Sequence, residues 1–139
     1  MNIAFFLLPK QEVVYLSING TMRQALEKME YHRYTAIPLI DEEGKYAGTL
    51  TEGDMLWKLK RTPGLSLSDA NSIPLKEIPR QMQNEPVRID AQIEDLLALA
   101  ANQNFVPVVD DHDVFIGIVR RSEIINYCID LLKKYKQTT

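Results

Sequence analysis

The feature that most constrains this chain is an internal duplication. Four anchor residues of the first half recur in the second half at a constant separation of 69 positions, as 107 − 38 gives for two prolines. The anchor pairs are Pro38 and Pro107, Asp41 and Asp110, Gly48 and Gly117, and Asp54 and Glu123. A repeat at a fixed period indicates two copies of one supersecondary unit, so the elements assigned to one copy predict those of the other.

Both copies carry the same order of predicted elements. An extended piece, EVVYLSI or EPVRI, comes before an amphipathic helix that starts at a capping residue, Thr21 or Asp90. An apolar strand, AIPLI or FVPVV, and a second strand, KYAGTL or VFIGIV, then form a hairpin. Its turn is DEEG, where Gly44 suits a positive φ, or DDHD. A last helix, EGDMLWKLK or RSEIINYCIDLLKKY, completes a β-α-β-β-α unit.

Two such units predict an α+β fold. Each unit offers a sheet face that it cannot cover alone, so the two are expected to pack as one pseudo-twofold domain. We place the first repeat at residues 9–61, the connecting segment at 62–80 and the second repeat at 81–136. Residues 1–8, MNIAFFLL, form an apolar segment that should pack on this domain or across a dimer interface.

The connection between the repeats is RTPGLSLSDANSIPLKEIPRQMQN. It contains three of the seven prolines and many turn-forming residues, so we predict an ordered connection with one short helix. It also carries spaced apolar residues that argue against a flexible tether: Leu65, Leu67, Ile73, Leu75, Ile78 and Met82.

Composition excludes several classes of function. The net charge is −3, whereas proteins that bind nucleic acid polymers are typically basic, so this class of function is not predicted. A single cysteine, Cys128, excludes a disulfide framework, and neither His32 nor His112 has metal-ligand spacing, so no metal site is predicted. The apolar N-terminal run is too short to span a bilayer, which favours a cytoplasmic protein without a membrane partner.

The stretch GTLTEGD, at residues 48–54, places a hydroxyl and a carboxylate where a strand meets a helix. One interpretation is a capping box in which Thr51 or Asp54 caps the helix and glycine eases the turn. The other is a ligand site, because a carboxylate can accept two hydrogen bonds from a vicinal diol and a helix N-terminus can bind phosphate. The counterpart GIVRRSE carries Arg120 and Glu123 at the equivalent positions.

The repeat with AIPLID, G and GTLTEGD resembles the cystathionine β-synthase (CBS) domain, and the tandem pair resembles a stand-alone Bateman module. The resemblance covers essentially the whole chain from Pro9 onward. It implies a homodimeric regulatory protein that binds adenine nucleotides in clefts between the repeats and transmits occupancy to a target protein. It implies AMP, ADP, ATP or cyclic di-AMP as ligand, no catalytic activity, and no cofactor beyond the regulatory ligand.

The resemblance implies two clefts, each built crosswise from the motif of one repeat and the leading segment of the other. For the first cleft the implied residues are Gly48, Leu50, Thr51, Asp54, Val87, Arg88, Asn104, Phe105 and Pro107. For the second cleft they are Val14, Tyr15, Tyr34, Thr35, Ala36, Pro38, Arg120, Arg121 and Glu123.

The second motif departs from the family pattern, with Arg120 at the hydroxyl position and Glu123 at the aspartate position. Two adjacent arginines suit a phosphate-rich ligand, because guanidinium groups are forked donors. Equally, Arg120 would fill the cleft or bind an acidic loop of a partner. The alternative function is therefore a dimeric scaffold with filled or vestigial clefts, and an enzyme is the least favoured class because no nucleophile set or phosphate-binding glycine loop is visible.

Overall fold

The computed structural model describes residues 1–81 and 83–138, and two compact units divide the chain. Seven strands and four α-helices lie in these residues. The strands are β1 (Leu8–Pro9), β2 (Leu16–Ser17), β3 (Ala36–Ile40), β4 (Tyr46–Thr51), β5 (Val87–Arg88), β6 (Phe105–Val109) and β7 (Phe115–Arg120). The helices are α1 (Met22–His32), α2 (Glu52–Arg61), α3 (Ile93–Ala100) and α4 (Arg121–Thr138). The α+β class and the repeated β-α-β-β-α order predicted from the sequence are confirmed.

The first unit, Val14–Gln83, contains a three-stranded sheet in the order β2-β3-β4. β2 runs parallel to β3, and β3 and β4 form the predicted hairpin, with Gly44 at a φ of 83° in its turn. Thr21 caps α1 as predicted: its side chain accepts from the Gln24 N–H, and the Gln24 side chain accepts from the Thr21 N–H. This reciprocal pair fixes where α1 begins.

The connecting segment belongs to the core of the first unit. It forms two short 3₁₀ helices, Leu67–Ser72 and Leu75–Glu77, where one short helix was predicted. Ile73, Leu75 and Ile78 are buried in the same cluster as the apolar face of α1, whereas Leu67 is exposed. Met82 lies outside the described residues. The apolar spacing of the segment therefore corresponds to packing and not to a tether.

The second unit combines Met1–Val13 with Asn84–Thr139 and has a four-stranded sheet in the order β1-β7-β6-β5. β1 pairs antiparallel with β7, so Leu8 lies opposite Ile118. The sequence placed the start of the first repeat at residue 9, whereas the contacts of residues 9–13 group them with the second unit.

The apolar N-terminal segment packs within this second unit. Ile3 is fully buried among the core residues of α3, β6 and β7, and its N–H donates to the carbonyl of Ala91 at 3.3 Å. The Ile93 N–H donates to the carbonyl of Met1 at 2.9 Å, so the chain terminus also covers the start of α3. Residues 1–8 therefore make contacts within their own chain, the first of the two predicted arrangements.

The predicted cap at Asp90 is wrong. α3 begins at Ile93 with Gln92 as its N-cap, and the Asp95 carboxylate accepts from the Gln92 N–H at 2.9 Å. Asp90 instead lies in a turn in which the Ala91 N–H donates to the Arg88 carbonyl at 3.0 Å. Because of this turn, the helix begins two residues later than predicted. The leading extended pieces are also shorter than predicted, since β2 and β5 contain two residues each.

Equivalent aspartates close the two hairpin turns. Asp41 Oδ1 accepts from the N–H groups of Glu43 and Lys45, both at 2.9 Å. Asp110 Oδ1 accepts from those of His112 and Val114 at 2.8 and 3.0 Å. The two backbone hydrogen bonds hold the pKa of Asp110 below its ordinary value.

Within the described residues, no helix has the length and apolar character needed to cross a membrane.

Candidate functional site

The first motif spans the junction of β4 and α2, where Thr51 is the N-cap of the helix. The Thr51 hydroxyl accepts from the Asp54 N–H at 3.2 Å, and Asp54 Oδ2 accepts from the Thr51 N–H at 2.9 Å. The capping-box interpretation of GTLTEGD is therefore realised in this structure. The same bonds fix the hydroxyl and the carboxylate beside each other at the positive end of the helix dipole.

Asp54 is more constrained than a capping residue needs to be. Only 1% of its surface is exposed, and its second oxygen, Oδ1, accepts from the backbone N–H of Gln81 at 2.9 Å. Each carboxylate oxygen thus has one backbone donor, and an ionised carboxylate retains further acceptor capacity. Gln81 belongs to the segment after the second 3₁₀ helix, and nothing in the local pattern of GTLTEGD indicates this partner.

The strand before the capping box contacts Arg80. Gly48 has a φ of 125°, and a Cβ at this position would lie 2.9 Å from Nε and 3.3 Å from Cζ of Arg80. Arg80 Nη2 donates to the carbonyl of Ala47 at 3.3 Å. The glycine therefore serves two purposes: it adopts a conformation that side chains disfavour, and it lets a guanidinium group approach the strand.

Tyr46, at the start of β4, has a raised pKa. Burial of the phenol raises its pKa to about 12, against smaller opposing effects of a hydrogen bond with Thr49 and the positive charge of Arg80. The phenol oxygen lies 2.6 Å from Thr49 Oγ1, and Thr49 is fully buried. Deprotonation would place a charge in this apolar surrounding, so the neutral form is retained well above the ordinary tyrosine range.

We therefore expect alkaline destabilisation that depends on Tyr46. The folded-state pKa is raised, so the stabilising contribution is present below about pH 10 and is lost as the pH rises toward about 12. After allowance for solvent screening at a half-buried group, the loss is up to about 2 kcal/mol. Denaturant unfolding at pH 9 and 11.5 should show a smaller loss for Tyr46→Phe than for wild type. An identical loss in both proteins would contradict this assignment.

A cavity of about 110 Å³ lies next to Asp54. Its walls come from the exposed side of α2, with Trp57, Lys58 and Arg61, and from Pro79 and Gln81. Two cations flank the indole of Trp57: Lys60 Nζ lies 5.2 Å and Arg61 Cζ 5.9 Å from the ring centroid. The indole is thus held by cation–π contacts on the helix surface.

The second motif has different partners, as its sequence indicates. Arg120 is exposed and forms an ion pair with Glu123, with 3.3 Å between Arg120 Nη2 and Glu123 Oε1. Arg121 is half-buried, and its Nε donates to the carbonyl of Gln103 at 2.9 Å. Glu123 is thus engaged by Arg120, and Arg121 has a structural hydrogen bond.

The remaining residues implied for the first cleft lie in the second unit. Val87 and Arg88 form β5, and Arg88 pairs with Asp113 in the β6–β7 turn at 3.7 Å. Asn104 is exposed, and its carbonyl accepts from the Arg121 N–H at 3.0 Å. Phe105 is buried, and Pro107 lies opposite Ile118 in the sheet. Leu50, in the first unit, is fully buried in the core of that unit.

The remaining residues implied for the second cleft lie in the first unit. Val14 and Tyr15 precede β2, and the Tyr15 carbonyl accepts from Lys28 at 3.1 Å. Tyr34 is half-exposed and stacks on His32, with centroids 5.4 Å apart. The Thr35 carbonyl accepts from the Glu52 N–H at 3.0 Å. Ala36 and Pro38 lie in β3 opposite Thr51 and Thr49, respectively.

Within the first unit, the structure brings Gly48, Thr51 and Asp54 together with two residues that the sequence did not single out, Arg80 and Gln81. Asp110, Asp111 and His112 of the second unit place their ligand-type atoms within 4.8 Å of one another. That cluster lies in a hairpin turn, its Asp111 and His112 side chains are exposed, and it has the ordinary character of a solvated acidic turn.

Comparisons with known proteins agree on the fold. The family model described as CBS domain matches residues 7–61 and 74–130. The chain is 23% identical to the chloroplastic CBS domain-containing protein CBSX2 of Arabidopsis thaliana over 162 aligned positions, covering 99% of this chain and 68% of that protein.

Two solved structures illustrate the structural likeness. Listeria monocytogenes CbpB in complex with c-di-AMP is 18% identical with a TM-score of 0.78, and the match covers 99% of this chain and 98% of that one. CBSX2 in complex with AMP is 21% identical with a TM-score of 0.71, and the match covers 94% and 97%. At these identities the likeness shows the tandem fold alone.

Proposed function

Because the chain belongs to the CBS domain family, we propose that it is a regulatory module that binds an adenine nucleotide and transmits occupancy to a partner protein. The observation that carries the proposal is the motif at the β4–α2 junction, where a hydroxyl, a carboxylate and a helix N-terminus converge. Similar proteins have been solved with AMP and with c-di-AMP. The proposal assigns no catalytic step to the chain.

The first motif offers chemistry for both halves of a nucleotide. At the start of α2, the Glu52 N–H donates to Thr35 and the Asp54 N–H to Thr51. Among the described residues, the Gly53 N–H has no such acceptor, and a helix N-terminus with a spare donor favours a phosphate oxygen. The Asp54 carboxylate has acceptor capacity for a ribose hydroxyl, and charge-assisted bonds of this kind are the stronger ones.

The second motif supports a different ligand preference. Arg120 and Arg121 supply two positive charges at the start of α4, where cations are unfavourable beside the helix dipole unless an anion is present. We propose that this motif binds a phosphate-rich ligand when Arg120 releases Glu123. The proposal also includes the crosswise arrangement of the clefts. Each motif would be completed by the residues of the other repeat that the family resemblance assigns to it.

A homodimer is part of the proposal. Ile125, Ile129 and Leu132 follow the i, i+4, i+7 spacing on α4 and are 49%, 42% and 60% exposed. Apolar side chains in such a row form a face that a second protein surface would cover. The competing function, a dimeric scaffold that senses no ligand, is favoured by the fact that Thr51, Asp54 and Arg120 already have partners within the chain.

The test is a thermal-unfolding series with AMP, ADP, ATP, c-di-AMP and S-adenosylmethionine at millimolar concentration. A ligand at 100 times its Kd should add about 2.7 kcal/mol to the free energy of unfolding, because it binds only the folded state. GMP and CMP serve as base controls, and Asp54→Ala and Arg121→Ala identify the motif that is used. If analytical ultracentrifugation shows a dimer and no adenine compound stabilises it, the result favours the scaffold function and rejects the nucleotide-sensing function.

A further inference from the structure

The backbone next to Arg80 is anchored by the residue that follows it. The Gln81 N–H that follows it donates to the buried carboxylate of Asp54, so the backbone of the segment is anchored to α2. The guanidinium group lies against β4, where the Gly48 backbone leaves room for it. A residue from the connecting segment therefore adds a cation to the strand that carries the first motif.

Within the part of the chain that the structure describes, the charge of Arg80 has no counter-ion. The residue is half-buried, and among residues 1–81 and 83–138 no carboxylate lies within the 4.0 Å of an ion pair with it. Its hydrogen bond goes to the neutral carbonyl of Ala47 at 3.3 Å, which uses one of five guanidinium N–H donors. A partly desolvated cation without a partner is unfavourable, and an anion beside it removes that cost.

The surroundings of Arg80 suit one class of anion. The bond from the Gln81 N–H to Asp54 brings the segment of Arg80 to the first turn of α2, whose backbone N–H groups are further donors. Guanidinium groups bind phosphate through two parallel N–H bonds, and the charge on both partners makes these bonds strong. The charge of Arg80 also acts on Tyr46, where it makes a small contribution against the rise in the pKa of the phenol.

We propose that Arg80 is a phosphate-binding residue of the first motif and that it makes the site select adenine nucleotides over adenosine. This inference rests on the proposed function, since it assumes that the motif binds an adenine compound. It goes beyond that function by assigning the selectivity to a residue of the connecting segment, outside GTLTEGD. The ribose and the base would then be recognised without Arg80, and the phosphate with it.

The experiment is isothermal titration calorimetry of the full chain with two probes, AMP and adenosine. Arg80→Gln removes the charge and retains donors, and Arg80→Lys retains a charge without the fork. Arg23→Gln is the matched control, because Arg23 is an exposed arginine of the same unit paired with Glu27 at 3.0 Å. Circular dichroism and the unfolding midpoint of each variant establish that it is folded before its affinity is compared.

The expected result is a loss of tenfold or more in AMP affinity for Arg80→Gln, with adenosine affinity within twofold of wild type. Arg80→Lys should recover part of the loss, and Arg23→Gln should bind both probes like wild type. An unchanged ratio of AMP to adenosine affinity in Arg80→Gln would overturn the inference while leaving the proposed function intact. If wild type binds neither probe nor any other adenine compound, the proposed function fails, and the inference fails with it.

Discussion

Replacing Gly117 with alanine should destabilise the protein by roughly 3–5 kcal/mol, the sum of a strained backbone and an overpacked contact. Gly117 has a φ of 157° and lies in β7 opposite Pro9 of β1. A Cβ at this position would overlap the carbonyl oxygen of Leu8 and come within 2.9 Å of Leu7 Cδ1. Since the main obstacle is backbone, the variant can relieve it only by separating β1 from β7. Denaturant unfolding of Gly117→Ala and wild type measures the difference.

The repeat supplies the matched control, Gly48→Ala. Gly48 occupies the equivalent position with a φ of 125°, but the nearest atoms to its added Cβ belong to the flexible side chain of Arg80. A side chain can move, so this variant should lose only about 1–3 kcal/mol from backbone strain. If Gly117→Ala were no less stable than Gly48→Ala, the close approach of β1 to β7 would be disproved.

Replacing Asp54 with alanine should cost roughly 3 kcal/mol, because two effects combine. The variant loses the reciprocal cap of α2, worth about 1 kcal/mol. It also leaves the part-buried N–H groups of Thr51 and Gln81 without their acceptor, and an unsatisfied donor that water reaches only partly costs up to about 1–3 kcal/mol. The free energy of unfolding of Asp54→Ala, measured without ligand, tests this expectation.

Asp95→Ala is the control for Asp54→Ala. Asp95 occupies the same N3 position of α3 and accepts from the Gln92 N–H at 2.9 Å, but it is exposed. Water can replace its carboxylate, so the loss should stay at about 1 kcal/mol or less. Equal losses in the two variants would mean that the bond from Gln81 contributes nothing, and the anchored position of Arg80 would lose its support.

The elements that could be predicted from the sequence are those that occur in both repeats, above all the two hairpins. Two copies of a continuous apolar strand followed by a turn, at a spacing of 69 residues, determine β3–β4 and β6–β7, because both hairpins are local. Thr21 was recognised as a cap because a residue with a capping side chain directly precedes the amphipathic pattern, and the structure adds Gln24 as its partner in a capping box. Local chemistry at short separations was therefore sufficient for these elements.

The parts that sequence reasoning missed depend on distant partners. Asp90 has the side chain of a cap, yet the neighbouring turn places Gln92 there, and the Met1 carbonyl accepts from the Ile93 N–H at the helix start. Arg80 meets Ala47, 33 positions earlier, and no motif at either position indicates the pair. Asp54 was identified as a functional residue, but its bond to Gln81, 27 positions later, has no counterpart in the sequence pattern.

The pairing of β1 with β7 has a consequence for how the chain acquires its structure. Val14–Gln83 is continuous in sequence, so a nascent chain can complete this unit while later residues are still being made. The other unit is split: its first strand ends at Pro9, and the partner of that strand begins at Phe115. Ile3 belongs to a core cluster that extends to Ile124, so its burial is complete only after Ile124 has been made. Closing so long a loop is entropically slow, so we expect the residues around β1 to be protected later than the continuous unit that follows them in sequence.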